Sequence, residues 1–210
     1  MQIQRYVVGP VMTNCYLLGD ESTRAAAFID PGDAGDTLAR HALQDDWQIA
    51  AVLLTHGHFD HIGGVEALLD SLAKAGQPDV PVSIHRADFP EAPASFGRGI
   101  SLEGIENVHF YGEGDTVQVG GLTVTVLTTP GHTAGGVTLR CGDALFTGDT
   151  LFAGSCGRTD FPTSDENAMM ASLRRLALLE GNLKVLPGHE STSSLDVERR
   201  YNPMVRWALR

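Results

Sequence analysis

The chain has 210 residues, 42% of them hydrophobic and 20% charged, a composition that excludes disorder and fibrous repeats and fits one domain, residues 1–210, with a substantial core. Fifteen Lys+Arg against twenty-six Asp+Glu give a formal net charge of -11. So acidic a surface repels phosphate backbones and anionic lipid, which argues against nucleic-acid and membrane partners.

The N-terminus, Met1-Gln-Ile-Gln-Arg-Tyr-Val-Val, alternates like a strand and lacks the basic and apolar regions of a signal peptide. No apolar run approaches the roughly 18 residues of a membrane span. Cys15, Cys141 and Cys156 are too few, and odd in number, for a disulfide framework. A cytoplasmic protein is the expectation.

In chain order, residues 3–8, 15–18 and 25–29 read as strands, the last halted by Asp30-Pro31-Gly32-Asp33. Residues 37–43 have helical spacing with Asp36 as the expected N-cap. Residues 49–54 form a wholly apolar run that suits a strand buried on both faces. A polar cluster, residues 55–61, follows it, and then one helix with Ile62, Val65, Leu68, Leu69 and Leu72 on a single face. Further strands are expected at 82–85, 116–119, 122–128, 137–140 and 144–147, with Gly120-Gly121 as a hairpin turn. Thr163-x-x-Glu166 and Ser193-x-x-Asp196 are capping-box patterns opening two helices, on either side of a short strand at 184–186. Asn202-Pro203 interrupts the second helix. Residues 89–113 have no clear period and read as a loop over a site or an insertion. Helices interleaved with strands in both halves point to an α/β fold with helices covering sheet faces.

The segment Thr55-His56-Gly57-His58-Phe59-Asp60-His61 places three histidines and a carboxylate within six positions. At this composition such a string arises by chance in roughly one sequence per thousand. Imidazole and carboxylate are the ligands preferred by a borderline divalent metal such as zinc. Three further donors, His132, Asp149 and His189, each follow a glycine just past an apolar strand, where sheet ends place functional groups. Seven donors suit two metals sharing a bridging carboxylate, an arrangement used for assisted hydrolysis. Asp30 sits after another strand, either as an acceptor that fixes a histidine tautomer or as a plain turn aspartate. His41, His85 and His109 read as structural or surface residues, and Cys156 as an incidental packed thiol.

The string 55–61 with Gly63-Gly64, then His132, Asp149 and His189, resembles the metallo-β-lactamase superfamily over nearly the whole chain. The resemblance implies an α/β (α+β) fold, a four-layer αββα sandwich with the metals in a cleft at one sheet edge. It implies that His56, His58 and His132 hold one metal, that Asp60, His61 and His189 hold the other, and that Asp149 bridges them. The metals would be two divalent ions, zinc first, with iron or manganese as the other candidates.

Gly148-Asp149-Thr150-Leu151-Phe152, then 154–162, and the ending from Pro187-Gly188-His189 through Asn202-Pro203 are similar to glyoxalase II, the hydroxyacylglutathione hydrolases, and most to its short bacterial branch. That likeness implies a thioesterase acting on a small-molecule thioester by way of a metal-bridging hydroxide, with Asp60 as catalytic residue and Arg158 as the contact to the thiol part of the substrate. A chain ending 21 residues after His189 is expected to lack the glutathione-binding helical region of the long enzymes. The same motifs resemble persulfide dioxygenase, which would use one iron on His56, His132 and Asp149, and a generic metallo-hydrolase of esters or lactones is a further reading. A β-lactamase is disfavoured because that group lacks an aspartate at the bridging position. A monomer or small homo-oligomer is expected.

Overall fold

A computed structural model describes residues 1–89 and 101–210. The first half builds a six-stranded sheet in the order β1 (Gln2–Val8), β2 (Thr13–Asp20), β3 (Ala25–Ile29), β4 (Gln48–Leu53), β5 (Val82–His85) and β6 (Val108–Tyr111). The β1–β2–β3 pairs are antiparallel and β3–β4–β5–β6 are parallel. The second half builds another six-stranded sheet from β7 (Thr116–Val119), β8 (Leu122–Thr128), β9 (Val137–Cys141), β10 (Ala144–Gly148), β13 (Lys184–Pro187) and β14 (Ser193–Ser194). Here only β10 and β13 run parallel. A small hairpin, β11 (Leu151–Phe152) and β12 (Ser155–Cys156), projects beyond β10.

Side chains alternate across each strand, so each sheet divides its apolar residues between two faces. Tyr16, Leu18, Ala27, Ile29 and Leu53 face Val124, Val126, Leu139 and Phe146 in a core between the sheets. Leu17, Phe28 and Val52, on the opposite face, pack against Leu38 of α1 (Gly35–Gln44) and Leu68 and Leu72 of α3 (Val65–Lys74). Leu145 and Val185 pack against Met169, Leu173 and Leu176 of α4 (Glu166–Ala177), with Val205 of α6 (Pro203–Ala208) joining them. Three cores between four layers make the expected αββα sandwich. No helix among the described residues is long and apolar enough to cross a membrane.

Several local expectations fail for identifiable reasons. The single helix after the histidine string is two, α2 (Phe59–Ile62) and α3. At Gly64 the backbone donates to Pro31 O at 2.8 Å, and a Cβ there would lie 2.6 Å from that oxygen. The close approach turns the chain between the two helices. Helix α1 begins at Gly35 behind Ala34, so Asp36 is not its N-cap but an acid in its first turn, where it complements the helix dipole. Neither capping box forms. Asp165, pinned by its N–H to Gly131 O, caps α4 by accepting from Ala168 N. The Ser193 hydroxyl bonds to Glu198 instead, and α5 (Leu195–Tyr201) starts after β14. The irregular stretch 89–113 contains β6 and a buried Leu102, while residues 90–100 lie outside the described residues. The break at Asn202-Pro203 holds: Asn202 caps α6, its side chain accepting from Met204 N and Val205 N.

Candidate metal centre

All seven predicted donors meet at one end of the seam between the sheets. The loop after β4 carries His56 and His58, and α2 directly behind it carries Asp60 and His61; the ends of β8, β10 and β13 carry His132, Asp149 and His189. Ligand atoms of His56, His58 and His132 lie within 4.8 Å of one another, as do those of Asp60, His61 and His189, and those of His56, His61 and Asp149. In the first group His58 Nδ1 is 3.1 Å from His56 Nε2 and 2.9 Å from His132 Nε2. In the second, Asp60 Oδ2 is 3.2 Å from His189 Nε2 and 3.7 Å from His61 Nε2. Asp149 lies between them, at 3.4 Å from both His61 Nε2 and His132 Nε2 and 3.5 Å from His189 Nε2.

The hydrogen-bond network assigns the tautomers of three rings. Asp30 is buried at the end of β3, with Oδ1 accepting from Thr55 N at 2.7 Å and Oδ2 from the Thr55 hydroxyl at 2.7 Å. The Thr55 proton is thereby used, so Thr55 Oγ1 accepts from His56 Nδ1 at 3.1 Å. His61 Nδ1 donates to Asp30 Oδ2 at 3.0 Å, and His132 Nδ1 to Arg158 O at 2.8 Å. All three rings therefore turn Nε2 toward the cluster, the nitrogen a metal would take in place of a proton. Asp30 adopts φ +52, a left-handed conformation that aspartate tolerates better than most residues. It is the tautomer-fixing acceptor rather than a turn residue alone.

Two residues that sequence reasoning missed hold the second group. The Thr13 hydroxyl donates to Asp60 Oδ2 at 2.9 Å. Asn14 Nδ2 donates to Pro187 O at 2.9 Å and to Glu190 O at 3.0 Å, bracketing His189. Their signal was a polar pair opening a strand that is otherwise mostly apolar.

Burial, and then the neighbouring rings, push His56 well below the usual imidazole range and His58 to about 4. Burial also opposes charge on His61, but Asp149 and Asp30 outweigh it and raise His61 well above the ordinary value. Burial likewise works against ionised Asp60 and Asp149; hydrogen bonding to His189 for the first, and the charge of His61 for the second, hold both carboxyls below the usual range.

The residues fit divalent metal. His61 Nε2 and Asp149 Oδ1 are buried with no hydrogen-bond partner, which is costly unless a cation occupies the space between them. The donors are imidazole and carboxylate, suited to zinc, iron or manganese alike.

Beside the donors opens a cavity of about 630 Å3, walled by Val11, Phe59, Phe152, Cys156, Arg158 and Phe161 among others. The Arg158 guanidinium is at the rim, bonded to both Asp160 oxygens at 2.5 and 2.6 Å and lying 4.5 Å over the Phe161 ring. Burial pushes the Cys156 thiol up, away from thiolate chemistry. At Gly157 the backbone passes so close that a Cβ would stand 1.8 Å from Asp149 O. His41 stacks on Tyr6, His85 caps the turn Arg86–Asp88, and His109 bonds Asn107, all apart from the seven donors.

Comparison with known proteins agrees with this geometry. A Haemophilus influenzae protein named hydroxyacylglutathione hydrolase GloC is 31% identical over 98% of this chain and 98% of its own length. Among solved structures, BLEG-1 B3 metallo-beta-lactamase superposes with a TM-score of 0.83 at 30% identity, covering 97% of this chain and 99% of that one. A di-iron-bound form of TTHA1623 gives 0.80 at 35%, covering 95% and 98%. ETHE1 from Myxococcus xanthus gives 0.79 at 32%, covering 100% and 88%. The family model described as the metallo-beta-lactamase superfamily matches residues 8–189. A match of that extent takes in every donor from His56 to His189, and the chain belongs to the metallo-β-lactamase superfamily.

Proposed function

We propose that this superfamily hydrolase is a cytoplasmic thioesterase of the hydroxyacylglutathione hydrolase type, one domain acting on a small-molecule thioester. The observation that carries the reading is the convergence of two donor groups on Asp149 beside a largely apolar cavity. His56, His58 and His132 would hold one divalent ion, Asp60, His61 and His189 the other, and Asp149 both. When bound, such ions lower the pKa of water to about 7 and polarise a carbonyl oxygen.

The chain's own residues do the rest. Asp30 and Thr55 hold the rings in the tautomer described above, so no ring must reorient during turnover. Asp60, kept ionised by its hydrogen bond with His189 and oriented by the Thr13 hydroxyl, accepts a hydrogen bond from the attacking water and steers it toward the carbonyl. Phe59, Phe152 and Phe161 enclose the acyl chain and exclude bulk water. Arg158 is the cation at the rim that a carboxylate on the thiol carrier would engage, in exchange for Asp160. A thiol with a pKa near 8.5 leaves with little protonation, so the reaction makes small demand for a general acid.

Metal analysis combined with turnover of S-lactoylglutathione tests the reading. Two divalent ions per chain with rapid hydrolysis is the expected result. Two ions without hydrolysis of this or another thioester discards the thioesterase. The likeness to ETHE1 favours a second reading, a persulfide dioxygenase; one iron per chain with oxygen uptake on glutathione persulfide would select it.

A further inference from the structure

After β5 the turn Arg86–Asp88 delivers a carboxylate to the seam between the sheets. Asp88 is 5% exposed. Its Oδ1 accepts from Gly135 N at 2.7 Å, and its Oδ2 accepts from the Thr133 hydroxyl at 2.7 Å and from Gly57 N at 3.1 Å. Gly57 separates His56 from His58, and Thr133 follows His132. The first loop leaves β4 of one sheet and the second leaves β8 of the other, so one carboxylate bonds both histidine loops. The fit is close: a Cβ at Gly135 would come within 2.5 Å of Asp88 Oδ1.

Its partners are neutral donors, and none of the ion pairs among the described residues includes Asp88. A buried carboxylate without a cation is an expensive way to join two loops. A neutral side chain cannot replace it, because all three partners present hydrogens and only an ionised carboxylate offers acceptors alone.

We propose that Asp88 is a positioning residue that sets the spacing of the His56, His58 and His132 imidazoles by tying their two loops to one carboxylate. The inference rests on the metal-binding reading above. It touches no ligand atom and is distinct from the role of Asp30, which bonds a ring directly. Asp88→Asn keeps the shape, yet its amide nitrogen must face either Gly135 N–H or Gly57 N–H, donor against donor. At least one backbone bond to a histidine loop is thereby lost, that of Gly135 or that of Gly57.

The test is equilibrium zinc binding to metal-free protein in competition with a chromogenic chelator, for wild type, Asp88→Asn and Thr133→Val, with thermal melting of each metal-free protein alongside. Asp88→Asn is expected to weaken one of the two zinc equivalents by about 10- to 100-fold and to leave the other unchanged. Thr133→Val, which removes one of the three bonds, is expected to weaken the same equivalent by less. Unchanged zinc affinity in both variants overturns the inference, even if their melting temperatures fall, because a merely structural role moves stability alone. Equal weakening of both equivalents overturns it too. If Asp88→Asn does not fold, Thr133→Val decides in the same way. Wild-type protein that takes up no zinc, iron or manganese instead sinks the metal reading, an outcome separate from any effect of the variants.

Discussion

The two halves of the sandwich serve one centre in opposite styles. The half built on β1–β6 supplies four donors from the single segment 56–61, and its own Asp30 and Thr55 fix two of the rings. The half built on β7–β14 supplies one donor at each of three strand ends. There His132 is set by a backbone carbonyl of the cavity wall, and the His189 loop by Asn14 reaching across from β2. Phe152, Cys156, Arg158 and Phe161 of the cavity all come from this second half. The first half therefore carries four donors in a preassembled unit and reaches across the seam through Asn14 and Asp88, while the second shapes most of the cavity wall.

The largest expected effect falls on the residue the halves share. Asp149→Ala should lower kcat/KM on the order of a thousandfold or more and reduce the metal retained after dialysis; an active variant with two ions would break the idea of a shared centre. Asp30→Ala comes next. It strands the Thr55 N–H and the His61 ring, and loss of one partner of a buried pair costs about 3–5 kcal/mol. Denaturant unfolding and metal retention should both suffer, and intact metal affinity would mean that the first half is not preassembled. Asn14→Ala leaves the Glu190 carbonyl without this donor, although Tyr16 still bonds Pro187 O. A loss of about 1–3 kcal/mol is expected, with weaker retention of one ion only.

Asn202→Ala probes the wall. Asn202 caps α6 and donates to Ser155 O at 2.8 Å and Phe152 O at 3.3 Å. Stability should fall by about 1–2 kcal/mol, and KM should rise with kcat nearly unchanged; a fall in kcat instead would tie the wall to the chemistry. Smallest is Glu113→Gln. Hydrogen bonding to Arg175 lowers Glu113 to about 2 from its ordinary 4.5. A folded-state pKa below the unfolded one contributes stability that is fully present above pH 4.5 and is lost as pH falls toward 2. The pair is exposed, so well under about 1 kcal/mol is at stake. Melting temperature between those pH values should decline slightly less steeply in the variant, with metal content untouched.

The donors were legible because imidazole and carboxylate at strand ends carry a chemical signal that local sequence preserves. The layers were legible through the family resemblance; from the residues alone only β4, apolar on both faces, announced two coverings. Neither capping box formed, because pairing of β14 with β13 and the bond from Asp165 N to Gly131 O are tertiary facts that outrank a short-range pattern. Strand β6 went unread because Val108-His109-Phe110-Tyr111, no shorter than β5 or β7, lies in a Gly-rich stretch without a period of its own. Thr13, Asn14 and Asp88 also escaped notice: each acts on a residue more than 30 positions away, and separation of that kind leaves no trace in spacing. Asp88 does follow a short apolar strand, β5, but Ala87 rather than a glycine precedes it, so the pattern that marks His132 does not extend to it.

The tight passage at Gly157 carries a lesson for redesign. A side chain there would collide with the backbone of the shared aspartate, so a mutational library aimed at new substrates is expected to lose nearly every variant at that codon. Its immediate neighbours behave differently, because Cys156 and Arg158 project into the cavity or onto its rim. Diversification should therefore alternate, skipping one position and sampling those on either side, and selection for altered substrate range should draw its winners from Phe152, Cys156, Arg158 and Phe161 while the metal chemistry stays as it is.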